Sequence, residues 1–192
     1  MDYLQPTLVE LNLLHNLYQN NPQIGDRQVK QNIWKTKYLQ KLIIDQLVVI
    51  VYNKISDKSM LPSFCHKQLQ LLNYITGKLN LEFNDLIGIM IYLKRLHAIN
   101  WAQGWSLGIS NKTLSYILPV ILILYFKMYC DRCYANSYYC SLTHTTLELI
   151  NQLEMKFMCK IPLYISHQEF QRNIDQYYQE SIVFASRYNQ IK

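Results

Sequence analysis

Four side chains in the second half of the sequence have the chemistry of a metal site. Cys130, Cys133, Cys140 and His144 are separated by two, six and three residues. Thiolate and imidazole groups are the ligands that zinc most often takes in proteins. The spacing is not that of a familiar zinc motif, and a redox role for the Cys-x-x-Cys pair would need a βαβ pattern, which the sequence lacks. Zinc stays an open alternative, and we predict neither a metal nor a cofactor.

The remaining candidates for catalysis are histidines, and none of them has a partner at motif spacing. A Gly-rich phosphate loop and a His-Glu-x-x-His motif are both missing from the sequence. A single histidine in a helical protein is usually structural or exposed. We therefore predict that the chain is not an enzyme. The histidines are His15, His66, His97, His144 and His167.

A continuous apolar run, LSYILPVILILYF at residues 114–126, ends directly at Lys127. The run has no polar face, so it does not resemble a surface helix. It is also shorter than the stretch of about 20 apolar residues that crosses a bilayer. Such a helix belongs in the centre of a helical bundle, with Lys127 held at the rim where it can contact a partner. The alternative for Lys127 is a cation favoured at a helix C-terminus by the helix dipole.

The composition predicts an all-α protein. The chain has 192 residues, of which 50% are hydrophobic and 17% are charged, so there is ample material for a core. Only five glycines and five prolines are present, which disfavours a β protein with many tight turns. The length suits one domain with helical extensions. We divide it into an N-terminal helical extension at 1–58, a main domain at 59–180 and a C-terminal tail at 181–192.

The net charge of +6 is moderately basic. Lysines are concentrated at residues 27–41, where they form either a solvated helix face or a patch for phosphate or an acidic partner. We favour the solvated face, because no nucleic-acid motif accompanies it. The sequence starts without the pattern of a signal peptide, has an odd number of cysteines and has no segment of membrane-spanning length. We expect reduced thiols and a location in the cytoplasm or the nucleus.

Hydrophobic periodicity, capping residues and breakers together predict the helices. Two precede the main domain, at 7–18 and at 26–55. Residues 131–141 are predicted to be polar and turn-like. Capping boxes at Thr145-x-x-Glu148 and Ser166-x-x-Glu169 open the last two helices of the main domain. The five helices of that domain are predicted at 64–78, 82–99, 114–126, 145–158 and 166–178.

Five stretches in this domain resemble, in order and in spacing, the motifs of cyclin boxes. Cyclins have Tyr-Leu-Asp-Arg in the second helix, and their third helix ends in a Lys-Phe pair followed by acidic residues. A Tyr-x-Asn stretch comes next. The fourth helix carries a Leu-Asn-x-Leu-Glu pattern, and a Val-x-x-x-Glu-Phe segment precedes the fifth helix. The details are similar to the P/U-type (phosphate-system) and Y-type cyclins, which have a single box. The matching stretches here are YLKRL at 92–96, YFKMYCD at 125–131, CYANSYYCSL at 133–142, LINQLEMKFM at 149–158 and IPLYISHQEFQRNI at 161–174.

The resemblance implies a five-helix cyclin box and a regulatory subunit that binds and activates a cyclin-dependent-type protein kinase. In the family, a lysine that ends the third helix and a glutamate in the fourth anchor the kinase, and these positions are Lys127 and Glu154 here. The family surrounds the anchor with apolar contacts. Matching positions, each of which could equally be core packing, are Leu124, Met128, Met158, Leu163 and Ile165.

The sequence departs from the cyclin pattern in three places. Lys94 replaces an aspartate, Tyr125 and Phe126 replace two small residues, and Cys130 replaces an acidic residue. The aromatic pair requires the neighbouring helices to repack. Two alternatives to kinase activation stay open: a cyclin-fold adaptor or structural subunit of a larger assembly with no kinase partner, and a nucleic-acid-binding domain related to transcription factor B. The second is disfavoured because that class has two boxes in tandem and this chain has room for one.

Overall fold

The computed structural model describes residues 27–52, 55, 57–102, 113–129 and 134–189, and everything in these ranges is helix, turn or connecting segment. The predicted all-α class is confirmed. The chain divides into two compact units, Met1–Ile33 and Trp34–Lys192. The described part of the first unit is the start of a helix. The helices are α1 (Arg27–Val51), α2 (Leu61–Leu79), α3 (Phe83–Ala102), α4 (Ile117–Tyr129), α5 (Asn136–Thr143), α6 (Leu147–Met158) and α7 (His167–Asn189).

Helix α4 is the centre of the second unit. Ten consecutive residues, 117–126, are buried, so the helix has no face in contact with solvent until Lys127. Helices α3, α5 and α6 all pack against it, while α3 also contacts α7, and α5 contacts α6. The apolar run is therefore a core helix, as its uniform hydrophobicity predicts.

The part of α1 that lies within the second unit is built into its core. Leu39, Ile43 and Leu47 are at most 1% exposed. Polar side chains at its edges bond to three other helices: Tyr38 to Glu180 on α7 at 2.8 Å, Gln40 to Thr76 on α2 at 3.2 Å, and Gln46 to His97 on α3 at 3.1 Å. These bonds satisfy polar groups that would otherwise be costly at a partly buried helix contact.

Helix ends follow from local capping. Asn80 and His144 take left-handed conformations that end α2 and α5, with φ of 50° and 52°. Ser166 caps α7 as predicted, since its hydroxyl accepts from the Glu169 amide at 3.2 Å. At α6 the cap is Thr146, which accepts from the Leu149 amide at 3.4 Å, so the predicted cap at Thr145 is wrong by one residue.

Three predicted boundaries differ from the structure. Residues 136–143 form α5, although this stretch was predicted to be turn-like; its Asn, Ser and Tyr residues are weak helix formers, and packing on α4 and α6 overrides that preference. Helix α7 extends to Asn189 instead of ending near 178, and α1 ends at Val51. The helix predicted at 7–18 lies outside the described residues. In the described parts of the chain, no helix is both long and apolar enough to cross a membrane.

Tyr125, the first of the two aromatic residues before Lys127, is accommodated by a glycine on α3. The Tyr125 ring lies against Gly88, where an added Cβ would be 2.7 Å from ring carbon Cδ2 and closer still to Cε2. The Tyr125 hydroxyl donates to Asp85 Oδ1 at 3.1 Å, one turn before Gly88. The ring also packs edge-on against Tyr92. The repacking that the bulky pair requires is therefore achieved by removing a side chain from the facing helix.

Candidate functional site at the end of helix α4

Lys127 is the first exposed residue of α4 and forms an ion pair with α6. Its Nζ lies 2.6 Å from Glu154 Oε1, and its side chain is 37% exposed while that of Glu154 is 9% exposed. The two predicted anchor residues are therefore brought together. Since the backbone at Lys127 continues a helix buried on all sides, the ammonium has a well-fixed base. The cation also lies in the last turn of α4, where it interacts favourably with the helix dipole.

Glu154 is a nearly buried carboxylate with a donor on each oxygen. While Lys127 takes Oε1, the Asn136 side-chain amide donates to Oε2 at 2.7 Å. The same amide nitrogen donates to Asn151 Oδ1 at 2.7 Å. These two donors replace solvent around a carboxylate at a site with little water. Three helices contribute to the cluster: α4, the first residue of α5, and α6.

The predicted apolar contact residues differ in exposure and fall into three groups. Met128 and Met158 are 45% and 47% exposed, so they lie on the surface beside the ion pair. Leu163 is half-buried. Leu124 and Ile165 are 1% and 5% exposed, and they support this surface from the core instead of lying on it. Met155, which lies one turn before Met158 and next to Glu154, is 64% exposed and adds to the same face of α6.

The segment from 162 to 166 between α6 and α7 has no helix or strand structure, yet its main chain is tightly held. Tyr92 on α3 donates to the Leu163 carbonyl at 2.5 Å, and Tyr129 on α4 donates to the same carbonyl at 3.1 Å. The Ile165 amide donates back to the Tyr129 hydroxyl. Three hydrogen bonds that involve side chains from two helices thus fix the main chain of this segment.

Arg95 completes this clamp, which we define as Tyr92, Arg95 and Tyr129. The Arg95 guanidinium donates to the carbonyls of Pro162 and Tyr164, the latter at 3.1 Å. It also pairs with Glu169 on α7 at 2.6 Å. Planar guanidinium groups suit several acceptors at once. The clamp leaves Tyr164 73% exposed at the apex of the segment. Burial raises the pKa of the Tyr92 hydroxyl above its ordinary value, so this group remains a donor in mildly alkaline solution as well.

Sequence reasoning missed Arg95, Tyr129 and Asn136. Arg95 lies inside the YLKRL motif, and Asn136 lies in the Tyr-Ala-Asn stretch, so both positions were noticed without a role. Their partners are 67 and 18 residues away, at Pro162 and Glu154. A single sequence carries no signal that joins such distant positions. The signal that was available, an arginine beside buried apolar residues on a helix, indicates only some carbonyl or carboxylate partner.

The lysines of the basic segment whose side chains are described, at 35, 37 and 41, are engaged with the protein and do not form a simple solvated face. Lys35 lies 4.0 Å from the Tyr178 ring centroid, and Lys41 pairs with Asp45 at 2.7 Å. Burial lowers the pKa of Lys37. Lysines held in this way present less free charge to a phosphate backbone than an open patch would.

The structure describes two of the four candidate zinc ligands, Cys140 and His144. Cys130 and Cys133 lie outside the described residues, while Cys140 is buried and His144 is exposed at the end of α5. Among the residues that the structure describes, no three potential ligands are grouped as a metal site.

Lys94 is the residue found where cyclins have aspartate. Its Nζ lies 4.8 Å from the ring centroid of Tyr177 on α7, and burial lowers the pKa of Lys94.

These features define a helical bundle built around one buried helix, with a charged pair at its rim and no catalytic constellation in the described part of the chain. The cyclin family model, described simply as "Cyclin", matches residues 62–163. The chain belongs to the cyclin family, and the match supports the P-type branch of the resemblance. Cyclins are non-catalytic regulatory subunits, and membership implies a role in regulating cyclin-dependent kinases. No curated protein and no solved structure matches the chain.

Proposed function

We propose that this chain binds and activates a cyclin-dependent-type protein kinase through the surface around Lys127 and Glu154. The observation that carries the proposal is the 2.6 Å ion pair between these residues at the exposed end of a buried helix. A rigidly held charge pair loses little conformational entropy when a partner docks on it. Membership of the cyclin family supports a kinase as that partner.

The ion pair can contact a partner without breaking. The ammonium has three N–H donors, of which one points at Glu154, and each carboxylate oxygen has more than one acceptor site. Backbone carbonyls and amides of a kinase helix terminus match these free positions through charge-assisted hydrogen bonds. Removing either partner of such a contact costs about 2–5 kcal/mol of binding when it is buried in the complex.

The exposed apolar side chains beside the pair would supply the hydrophobic part of the interface. Met128 and Met158 are about half exposed, and unbranched methionine side chains adapt to the shape of a partner. Leu163 borders them on the clamped segment. Leu124 and Ile165 would act from beneath by keeping α4 and the segment in place.

In this proposal the bound chain presses the kinase regulatory helix inward. That movement completes the Lys–Glu ion pair of the kinase and releases its activation segment. Residues 59–180 form the binding unit, with 1–58 and 181–192 as flanks. The cytoplasm or the nucleus is the compartment we expect, because the cysteines at 65, 140 and 159 are free thiols.

Affinity purification from the native source, followed by a kinase assay on the recovered partner, tests the proposal. The wild-type chain should recover a kinase whose phosphoryl transfer depends on it. Lys127→Ala with Glu154→Ala should abolish recovery while circular dichroism stays unchanged. Lys67→Ala with Asp175→Ala is the matched control, since both residues are exposed on α2 and α7 and the net charge change is the same. Recovery of assembly subunits without a kinase would favour the adaptor alternative.

A further inference from the structure

Asn136 controls how the Glu154 carboxylate is oriented. Both protons of its side-chain amide are used, one on Glu154 Oε2 and one on Asn151 Oδ1, each at 2.7 Å. The reverse amide orientation would place its oxygen against the Glu154 carboxylate, which can only accept, and the two oxygens would repel each other. The direction of these bonds is therefore determined by the chemistry of the neighbours.

The oxygen of the same amide has no donor among the residues that the structure describes. Asn136 Oδ1 is buried and accepts no hydrogen bond from them. A buried acceptor without a donor is uncommon in folded proteins, because its lost hydration is not replaced. The side chain is thus held in place by its two donated bonds, although its oxygen would be better satisfied elsewhere. Residues in such an arrangement are often found where position matters for function.

The geometry points to Asn136 as a positioning residue for the kinase anchor, an inference that rests on the proposed function. With Oε2 held by Asn136 on α5, only Oε1 is directed toward Lys127 on α4. The carboxylate cannot rotate without losing a charge-assisted bond. The Lys127–Glu154 pair is therefore in place before a partner arrives, and binding does not have to order it.

Helix α5 thereby becomes part of the kinase anchor, together with Lys127 on α4 and Glu154 on α6. Asn136 is the first residue of this eight-residue helix, which also packs against α4 and α6. A displacement of α5 would withdraw the donor from Oε2. Helix α5, which the sequence did not predict, then determines the geometry of Lys127 and Glu154, which the sequence did predict.

The test compares two substitutions at position 136 with one at its other partner. Asn136→Ala removes the donor, and Asn136→Asp keeps the shape but places an acceptor against Glu154. Asn151→Ala is the matched control, because it removes a bond of Asn136 and leaves the bond to Glu154 intact. NMR of the free chain reports the Lys127 ammonium signal and the rotamer averaging of the Glu154 side chain. A merely structural role would leave both signals unchanged.

We expect the Lys127 ammonium signal to broaden and the Glu154 rotamers to average in both position-136 variants, and more strongly in Asn136→Asp. Asn151→Ala should change these signals less, because Asn136 keeps its bond to Glu154. Binding of the kinase recovered with the wild-type chain should weaken about tenfold in Asn136→Ala, as expected for loss of one hydrogen bond to a charged group. Backbone amide spectra should show that each variant is folded.

Unchanged ammonium and rotamer signals in Asn136→Ala and Asn136→Asp would overturn the inference, whatever the kinase does. Equal effects of Asn151→Ala and Asn136→Ala would overturn it too, because the bond to Glu154 would then not be the one that matters. If the NMR signals change as expected but no kinase binds even the wild-type chain, the proposed function fails and the positioning of Glu154 stands.

Discussion

Tyr125 fits between helices α3 and α4 because Gly88 has no side chain. The Tyr125 ring occupies the volume that a Cβ at residue 88 would take. Its hydroxyl donates to Asp85, which lies on α3 with Gly88. The two positions are therefore coupled, and neither can be enlarged without a response from the other.

Gly88→Ala should destabilise the chain. Overpacking a core contact costs about 1–3 kcal/mol, while alanine in a helix interior is favoured over glycine by about 1 kcal/mol. We expect a net loss of up to about 2 kcal/mol in urea unfolding. In a Tyr125→Leu background the same change should be neutral or stabilising, because the ring is gone. Equal destabilisation in both backgrounds would show that the two residues are not coupled.

Removing one partner of the ion pair should cost more than removing both. Lys127→Ala removes the cation from Glu154, whose side chain is 9% exposed in the unsubstituted chain, and leaves Asn136 as its remaining donor. Because Lys127 is partly exposed, we expect a loss of about 1–2 kcal/mol in unfolding free energy. Adding Glu154→Gln, which no longer carries an unpaired charge, should recover part of that loss. A double variant less stable than Lys127→Ala would contradict this account.

Substitutions at two predicted contact residues should separate binding from stability. Leu124 is in the core, so Leu124→Ala should cost about 2–5 kcal/mol of unfolding free energy. Met158 is about half exposed, so Met158→Ala should leave stability within about 0.5 kcal/mol. Kinase affinity should fall in Met158→Ala. Unfolding and binding measured on the same two proteins check the contrast, and a stability loss in Met158→Ala would place that residue in the core instead.

Arg95→Lys should loosen the segment between α6 and α7. A lysine ammonium cannot bond the Pro162 and Tyr164 carbonyls and the Glu169 carboxylate in the planar fork that arginine uses. Hydrogen exchange at the Ile165 amide should therefore speed up, while exchange in α4 stays slow. Glu169→Gln, which keeps the carbonyl bonds of Arg95, serves as the control. Unaltered exchange in Arg95→Lys would mean that the two tyrosines hold the segment by themselves.

Stability should fall in alkaline solution because of buried tyrosines. Burial raises the pKa of Tyr92 and of Tyr177, where nearby Glu180 adds to the effect. Tyrosines in the unfolded chain lose their protons near about pH 10. Above that pH the unfolded state therefore binds fewer protons than the folded state, and the free energy of unfolding decreases.

Lys37 and Lys94 act in the opposite direction, since burial lowers the pKa of each, so single tyrosine variants are needed to isolate the effect. Tyr177→Phe should flatten the alkaline slope of stability measured by urea unfolding between about pH 8 and 11. Tyr164→Phe, at a position 73% exposed, is the control and should leave the slope unchanged. A slope that is the same in all three proteins would rule out Tyr177 as a contributor.

The parts of the fold that the sequence predicts well are those with strong local signals. The apolar run before Lys127 could only be a buried helix, and Ser166 could be identified as a cap from its own neighbours. Helix α5 could not be predicted in the same way, because its residues are weak helix formers and its stability comes from contacts with α4 and α6. Thr145 and Thr146 are adjacent and chemically equal, so only the geometry decides which one caps.

The candidate site also contains residues that the sequence predicts and residues that only tertiary contacts reveal. Lys127 and Glu154 were found through resemblance to a family, and the structure brings them together. The residues that hold them in place, Asn136 and Arg95, act through partners far along the chain, and local pattern contains no information on such pairs. Whether Leu124 or Met158 is exposed also depends on tertiary packing, which a helical period alone leaves undecided.

The clamp of Tyr92, Arg95 and Tyr129 grips only main-chain atoms of the segment after α6. These bonds do not involve the Tyr164 side chain, which is 73% exposed, whereas the buried Ile165 side chain holds the segment from the core. Residue 164 can change from tyrosine to almost any other type without moving its neighbours, because no bond that positions the segment depends on its ring. A surface of this kind can acquire a new partner preference by single substitutions, at almost no cost to folding.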